Sequence, residues 1–341
     1  MKKIAVITDT HLTTKNGDLV KSIFKQTFEA MKSRGINTLF HGGDWFTART
    51  GQTVRNLKAT LDIINMSEEY DIQIYAIAGN HDKDDQEAHD SFLDPFEKDG
   101  VFKLFRKLGS WEHPDLNVHM LPYYPEDGER YIEYLGELNE KCGQGINILI
   151  THTAVNGVKN NDGSEVTSGI SKNKFGKFDL VFVGHYHNKS KVGSNIHYIG
   201  SAYQANFGED DDKGFIIYDS ETKDIERVRL NFPKYITKEI KASEAIASCN
   251  DIINTGSVED FLRVKITGSE DEVNAVSKDL FNLPNIKVEK ILEIEGFVDL
   301  ENVEAVTFDK ESLQAEWGQF TKDKKIKKEN EEMGVSYLKK I

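Results

Sequence analysis

The sequence predicts an α/β fold of two packed sheets, followed by a small α+β unit and a helical C-terminal tail. Three observations predict it. Apolar strand-like runs alternate with helical stretches through the first part of the chain, the pattern of an α/β layer fold. From about Ile146 the apolar runs follow one another with less helix between them, as if a second sheet packs on the first. Near Asn231-Phe232-Pro233 the pattern breaks, and a shorter strand–helix–strand unit follows. The boundaries are therefore placed at 1–230, 231–300 and 301–341.

Taken in order, Ile4 to Thr8 reads as a first strand. Val20 to Ser33 reads as a helix, with Val20, Ile23, Phe24, Phe28 and Met31 at helical spacing and Gly35 as its stop. Asn37 to His41 is a second strand running into Gly42-Gly43-Asp44. Arg55 to Tyr70 is helical again, with Leu57, Leu61, Ile64 and Met66 expected on the buried side. Ile72 to Ala78 is a third strand ending at Gly79. Ile146 to Ile150, Leu180 to Val183, Ile196 to Ile199, Phe215 to Tyr218 and Ile225 to Leu230 follow as strands with turn residues between them. In the last part, Phe261 to Ile266 and Ile286 to Leu292 read as strands and Asp271 to Phe281 as a helix. Beyond about Glu301 the chain turns acidic and then lysine-rich.

Composition excludes several classes. With 341 residues, 38% hydrophobic and 29% charged, the chain has material for a core and is not disordered. No uncharged apolar run approaches the roughly 20 residues of a membrane span. The apolar N-terminus is cut by Asp9 and has no small-residue cleavage site, so it reads as a buried strand rather than a signal peptide, and a cytoplasmic setting is expected. Two separated cysteines, Cys142 and Cys249, argue against a disulfide framework and a thiolate zinc site. A net charge of -14 argues against a chain that grips nucleic acid by its own bulk field, but not against a nucleic-acid enzyme helped by metal ions or a partner.

Five segments share one design, an apolar strand that ends in a short loop bearing a metal-ligand side chain. They are Asp9-Thr10-His11, Gly43-Asp44, Gly79-Asn80-His81-Asp82, His152, and His185-Tyr186-His187. Alone, each is ordinary: a histidine at a strand end is usually hydrogen-bonded structure, and Gly-Asn is a turn signal. Five repeats of the same arrangement are not ordinary. In open α/β sheets, sites form beyond the carboxyl ends of strands, so neighbouring strands would bring these loops together. Nitrogen and oxygen ligands without thiolate suit divalent ions such as Mn, Fe or Zn. Two such ions about 3.5–4 Å apart, bridged by a carboxylate, can activate water and clamp a phosphoryl group.

In order and spacing these segments resemble the motif set of calcineurin-like metallophosphoesterases, over roughly Met1 to Leu230. Gly42-Gly43-Asp44-Trp45-Phe46, and Tyr198-Ile199-Gly200-Ser201 followed by Phe207-Gly208-Glu209, resemble the double-strand-break repair nucleases of the SbcD type, closest to the phage-encoded group of the T-even kind. The resemblance implies a metallophosphoesterase sandwich with a capping domain at 231–300 and partner-binding helices at 301–341. It implies that Asp9, His11 and His187 hold one metal, that Asn80, His152 and His185 hold a second, and that Asp44 bridges both. His81 would assist the leaving oxygen, and the ions would be manganese. The sequence departs from the group at Thr47, where relatives often carry a His or Asp that orients the catalytic histidine. Orientation of His81 would then fall to Asp82 or another group.

The implied activity is a DNA nuclease subunit, trimming duplex ends 3′ to 5′ and cutting single strands, as a homodimer with an SMC-like coiled-coil ABC ATPase of the SbcC type. Lys172, Lys174, Lys177, Lys189 and Lys191 either form a solvated lysine-rich surface or flank the cleft and contact phosphates. Phe308, Leu313, Trp317, Phe320, Val335, Tyr337, Leu338 and Ile341 are expected to form amphipathic faces that either dock the ATPase or fold back on their own domain. The alternative on the same scaffold is a phosphodiesterase or phosphatase of small nucleotides or phosphoproteins. A non-catalytic scaffold is disfavoured because all seven ligand positions and His81 are kept.

Overall fold

The computed structural model describes residues 2–159, 164–257, 259–281 and 283–292. In chain order the elements are β1 (Lys3–Ile7), α1 (Gly17–Lys32), β2 (Thr38–His41), α2 (Val54–Glu69), β3 (Gln73–Ile77), β4 (Phe102–Phe105), β5 (Gly109–His113), β6 (Leu116–Leu121), α3 (Glu129–Lys141), β7 (Ile146–His152), β8 (Leu180–Gly184), β9 (Ser190–Val192), β10 (Ile196–Tyr198), β11 (Gly214–Asp219), β12 (Ile225–Arg229), β13 (Tyr235–Lys241), α4 (Ala245–Ile253), β14 (Phe261–Gly268), α5 (Glu270–Ala275) and β15 (Ile286–Leu292).

Two six-stranded mixed sheets face each other. The first runs β12-β11-β1-β2-β3-β4 and the second β5-β6-β7-β8-β10-β9. Strands β1 to β4 are parallel, as are β6, β7, β8 and β10, and antiparallel strands lie only toward the edges. The expected two-sheet α/β sandwich is what forms. The reason is visible in β1. Its side chains alternate, with Ala5 and Ile7 in the core under the helices and Ile4 and Val6 in the core between the sheets. A strand covered on both faces must be apolar throughout, which is why it reads as a continuous run.

Helix α1 buries Val20, Ile23, Phe24, Thr27, Phe28 and Met31 against the first sheet, as its spacing requires. Helix α2 differs from expectation. Its buried face is Asn56, Ala59, Thr60, Ile63, Ile64 and Ser67, while Leu61 is exposed. The face is chosen by fit: small residues let α2 lie close to α1, where Gly17 faces Ala59, and Thr60 takes the indole N–H of Trp45 at 3.2 Å. On the outer side of the second sheet, α3 buries Tyr131, Leu135 and Leu138. Phe102 to Lys141, a stretch with no expected element, forms β4, β5, β6 and α3.

The last described part is a third, three-stranded sheet, β13-β14-β15, with both pairings parallel. It contains a strand (β13) and a helix (α4) beyond the expected strand–helix–strand. The expected helix Asp271 to Phe281 is shorter, ending at Ala275 before a 3-10 turn. Tyr235 ties it to the first part, donating to Gln204 Oε1 at 2.8 Å and accepting from Gln204 Nε2 at 3.1 Å. The proposed docking helices at 301–341 lie outside the described residues.

Candidate metal centre

The loops after β1, β2, β3, β7 and β8 meet where the carboxyl ends of the two sheets come together. The seam is held by main chain: the N–H of His185 donates to both oxygens of Asp9 at 3.1 and 3.2 Å, and the Nδ1–H of His152 donates to Gly42 O at 2.9 Å. All seven predicted ligand side chains converge there. Asp44 Oδ2 sits between two groups, 3.6 Å from His11 Nε2 and 3.3 Å from His152 Nε2. On one side stand Asp9, His11 and His187, with the Nε2 atoms of His11 and His187 at 2.9 Å and Asp9 Oδ1 at 3.8 Å from His11 Nε2. On the other, Asn80 Oδ1 lies 3.1 Å from both His152 Nε2 and His185 Nδ1.

The side chains fit divalent ions. Asp9 and Asp44 are 0% and 2% exposed, and among the described residues neither pairs with a lysine or arginine. Buried carboxylates are normally paired or coordinate metal. The nearest counter-groups here are histidine nitrogens, aimed at the same point. The donor set is nitrogen and oxygen only, suited to Mn, Fe or Zn rather than a thiolate-preferring ion.

The backbone is forced to make this arrangement. Among the described residues six non-glycines have positive φ, and four of them are Asp9 (53°), His11 (43°), Asp44 (54°) and His185 (93°). Such conformations cost about 1–3 kcal/mol each and persist only where the surroundings impose them. The motif glycines are equally constrained. A Cβ on Gly79 would lie 2.2 Å from Asp44 Oδ1, and one on Gly184 would lie 2.7 Å from His152 Nδ1.

A second layer holds the ligands. The His81 N–H donates to Asp44 Oδ1 at 2.9 Å, turning Oδ2 toward the ligand groups. Glu209 Oε1 accepts from His187 Nδ1 at 2.7 Å, which leaves Nε2 as the donor nitrogen. In the sequence Glu209 stands only as part of a motif; its burial beside a histidine is what gives it a role. Lys213, also buried, donates to His187 O at 2.6 Å and Asn188 Oδ1 at 2.9 Å. Lys83 braces the Asn80 loop, donating to Ala88 O and Tyr123 O at 2.9 and 2.8 Å beneath the Tyr124 ring.

His81 stands apart from the ligands. Its ring meets His11 edge-on at 5.2 Å, with Nδ1 2.5 Å from the main-chain oxygen of Thr47 and Nε2 3.0 Å from Arg49 Nη2. Thr47 therefore does orient His81, through its carbonyl rather than its side chain. Asp82 does not. Its carboxylate is buried and accepts the main-chain N–H groups of Trp45, Phe46 and Gly79 at 3.2, 2.9 and 2.8 Å.

A family model for calcineurin-like phosphoesterases matches residues 2–189. The chain belongs to the calcineurin-like phosphoesterase family. Among its relatives, exonuclease subunit 1 of Enterobacteria phage T4 is 25% identical over 238 residues, covering 67% of this chain and 68% of that protein. The 244L protein of Invertebrate iridescent virus 6, provisionally named a phosphoesterase, is 25% identical over 283 residues, covering 77% and 97%. The DNA double-strand break repair protein Mre11 of Methanosarcina acetivorans is 24% identical over 250 residues, covering 69% of this chain and 39% of its own length.

In this phosphoesterase the charges at the centre are tightly linked. Burial works against ionisation of Asp44, but His152 and His11 outweigh it and hold the carboxyl well below its usual range. Burial lowers His152 as well, and Asp44 more than reverses this, carrying it up to about 9. His41, by contrast, is buried beside the centre without a carboxylate contact. Desolvation pushes it down to about 3, and it holds Thr10 and the Gly43 N–H as a neutral ring.

The lysines expected to flank the cleft divide. Lys172, Lys174 and Lys177 precede β8, at the amino end of the strand whose carboxyl end carries His185. Lys174 and Lys177 stand at the far end of the sheet from the centre, while Lys172 lies two residues past Ile170, which pairs with Val155 on the loop after His152. Lys189 follows His187 but is paired with Asp212. Among the described residues no helix is long and apolar enough to cross a membrane, and Cys142 and Cys249 are unpaired.

Proposed function

We propose that this phosphoesterase is the nuclease subunit of a DNA repair and recombination complex and hydrolyses DNA phosphodiester bonds. The observation that carries the reading is Asp44 Oδ2 set between two ligand groups, Asp9, His11 and His187 on one side and Asn80, His152 and His185 on the other. Those residues would hold two divalent ions, with manganese the ion favoured by resemblance. When bound, such ions activate water and offset the negative charge of a phosphodiester. His81 is held by Thr47 O through Nδ1, so Nε2 is the atom left to face a leaving oxygen. A 3′ oxygen gains from a proton as its bond breaks, and His81 is placed to give it.

The likeness to the T4 exonuclease subunit and to the archaeal repair protein supports DNA as substrate. The motif resemblance extends the proposal to a protein that acts in the cytoplasm, degrades duplex ends 3′ to 5′, cuts single strands, pairs as a homodimer and works with a coiled-coil ABC ATPase. The three-stranded sheet would serve as a capping domain and residues 301–341 as the docking tail. The test is manganese-dependent cleavage of linear duplex DNA, single-stranded DNA and a chromogenic diester, with and without a candidate ATPase. Cleavage of DNA supports the reading. Hydrolysis of the chromogenic diester alone, with DNA untouched, supports a phosphodiesterase of small substrates instead.

A further inference from the structure

On one side the two sheets end in the edge strands β12 and β9. A cavity of about 340 Å³ opens between them. Its floor is core: Phe182, Ile199 and Ile216 are at most 5% exposed and belong to the cluster between the sheets. Ile225 of β12 also lines it and is 37% exposed. Register sets the polar side. Lys191 lies opposite His197 across β9 and β10, and His197 lies beside Phe182 across β10 and β8. Residues so paired share a face, so the three side chains stand in a row on the side that looks between the sheets. The His197 ring is 6.2 Å from the Phe182 ring. The other cations here are engaged. Lys189 and Arg229 pair with Asp212, and Arg227 donates to Ile199 O and Asp212 O at 2.7 and 2.6 Å. Among the described residues the side chains of Lys191 and His197 have neither a hydrogen bond nor a carboxylate partner. Burial and the nearby Lys191 hold the imidazole below its usual range, so it presents one N–H and one lone pair.

We propose that this cavity binds a small aromatic anion: the flat body enters between the sheets over Phe182, Ile199 and Ile225, and its anionic group rests on Lys191 and the His197 N–H. Small-molecule sites commonly have this form, an apolar space of about 300–1,000 Å³ with a few placed polar groups. An anion is selected because the polar groups left free are an ammonium, which only donates, and a neutral imidazole beside it. A flat body is selected because the space lies between two facing sheets. Two sources offer that chemistry, a mononucleotide and an aromatic carboxylate. None of the lining residues is one of the seven candidate ligands or His81, so the inference stands apart from the diester reading.

The test uses the full chain as wild type, Lys191→Ala and His197→Phe, with Lys103→Ala on β4, at the opposite edge of the first sheet, as control. Binding of anilinonaphthalene sulfonate, a fused-ring anion, is followed by its fluorescence. The bound probe is then challenged with deoxyadenosine monophosphate, with naphthoate and with uncharged deoxyadenosine. Wild type should bind one probe per chain and release it to one or both anions, but not to deoxyadenosine at the same concentration. Lys191→Ala should weaken the probe roughly 10-fold, the low end for a contact to a charged group, because Lys191 stands at the solvent edge. His197→Phe keeps an apolar wall and loses the N–H, and should weaken the probe by a smaller factor. Lys103→Ala should bind as wild type. Release by the nucleotide identifies a mononucleotide site, and release by naphthoate alone an aromatic-acid site; both support the proposal. Probe affinity unchanged in Lys191→Ala overturns it, whether or not His197→Phe folds. So does release by deoxyadenosine as readily as by its monophosphate, which would leave an apolar surface without anion recognition. An equal loss in Lys103→Ala overturns it as well, since binding would then follow net charge and not this cavity.

Discussion

Replacing Glu209 by Gln isolates one half of the centre. The Glu209 side chain is fully buried and every neighbour is a donor. Oε1 accepts from His187 Nδ1 at 2.7 Å and Asn206 Nδ2 at 2.8 Å, and Oε2 from the Ala205 N–H at 3.1 Å, with Lys213 Nζ at 3.5 Å. Glutamine keeps the shape but must turn its amide nitrogen toward one of these donor pairs. The unsatisfied contact should cost about 1–3 kcal/mol of stability. His187 also loses the carboxylate that orients its ring and raises its basicity, a loss typically worth about 10- to 100-fold in metal affinity. The effect should be one-sided, because Asn80, His152 and His185 make no contact with Glu209. Calorimetric titration of the metal-free protein with manganese, with elemental analysis of the product, should show one ion bound as in wild type and one weakened. Two ions of unchanged affinity, or two weakened equally, would refute the division of ligands into two groups.

Three further outcomes are expected. Asp44→Asn should release both ions together and reduce diester hydrolysis by several orders of magnitude, since one carboxylate oxygen faces both groups; near-normal turnover with full occupancy in elemental analysis contradicts this. His81→Ala should keep two ions and cleave DNA at least about 100-fold more slowly, while a nitrophenyl diester, whose leaving group needs little protonation, suffers far less; loss of an ion would make His81 a ligand. Burial pushes the Lys83 ammonium down to about 8 from 10.5, so between those values the unfolded chain holds a proton that the folded chain has released. Stability should therefore rise with pH across that window, and its penalty is fully present below about 8. Urea midpoints at about pH 8 and about pH 10 should diverge between wild type and Lys83→Met, and parallel profiles would count against the assignment.

The candidate metal centre was legible because its parts are local. A buried parallel strand reads as an apolar run, and Gly-Asp, Gly-Asn-His or Gly-His-x-His at its end marks a loop that must approach other backbone closely. What escaped the sequence depends on distant partners. The role of Thr47 lies in its carbonyl, which carries no residue signature. Glu209 matters because a turn near β11 returns it to His187. Leu61 looked like core, but α2 turns a face of small residues inward, and helical spacing alone does not say which of two faces a neighbouring helix accepts. Strand β13 hid because its residues are only half-buried or exposed, so Tyr235 to Lys241 has no apolar run to find.

The pairing of β1 with β11 has a consequence for how the protein is made. Lys3 lies opposite Asp219, so β1 leaves the ribosome some 210 residues before its second neighbour does. At about 5–20 residues per second that interval is roughly 10–40 s. Throughout it Ile4, Ala5, Val6 and Ile7 form a sticky apolar strand with one open edge, the kind of segment that recruits chaperones or neighbouring chains. The same ordering keeps Asp9 and His11 from meeting His187 until most of the phosphoesterase part has been synthesised. Assembly of the candidate metal centre is thereby deferred to a late step of maturation, and a prematurely terminated chain is born without it.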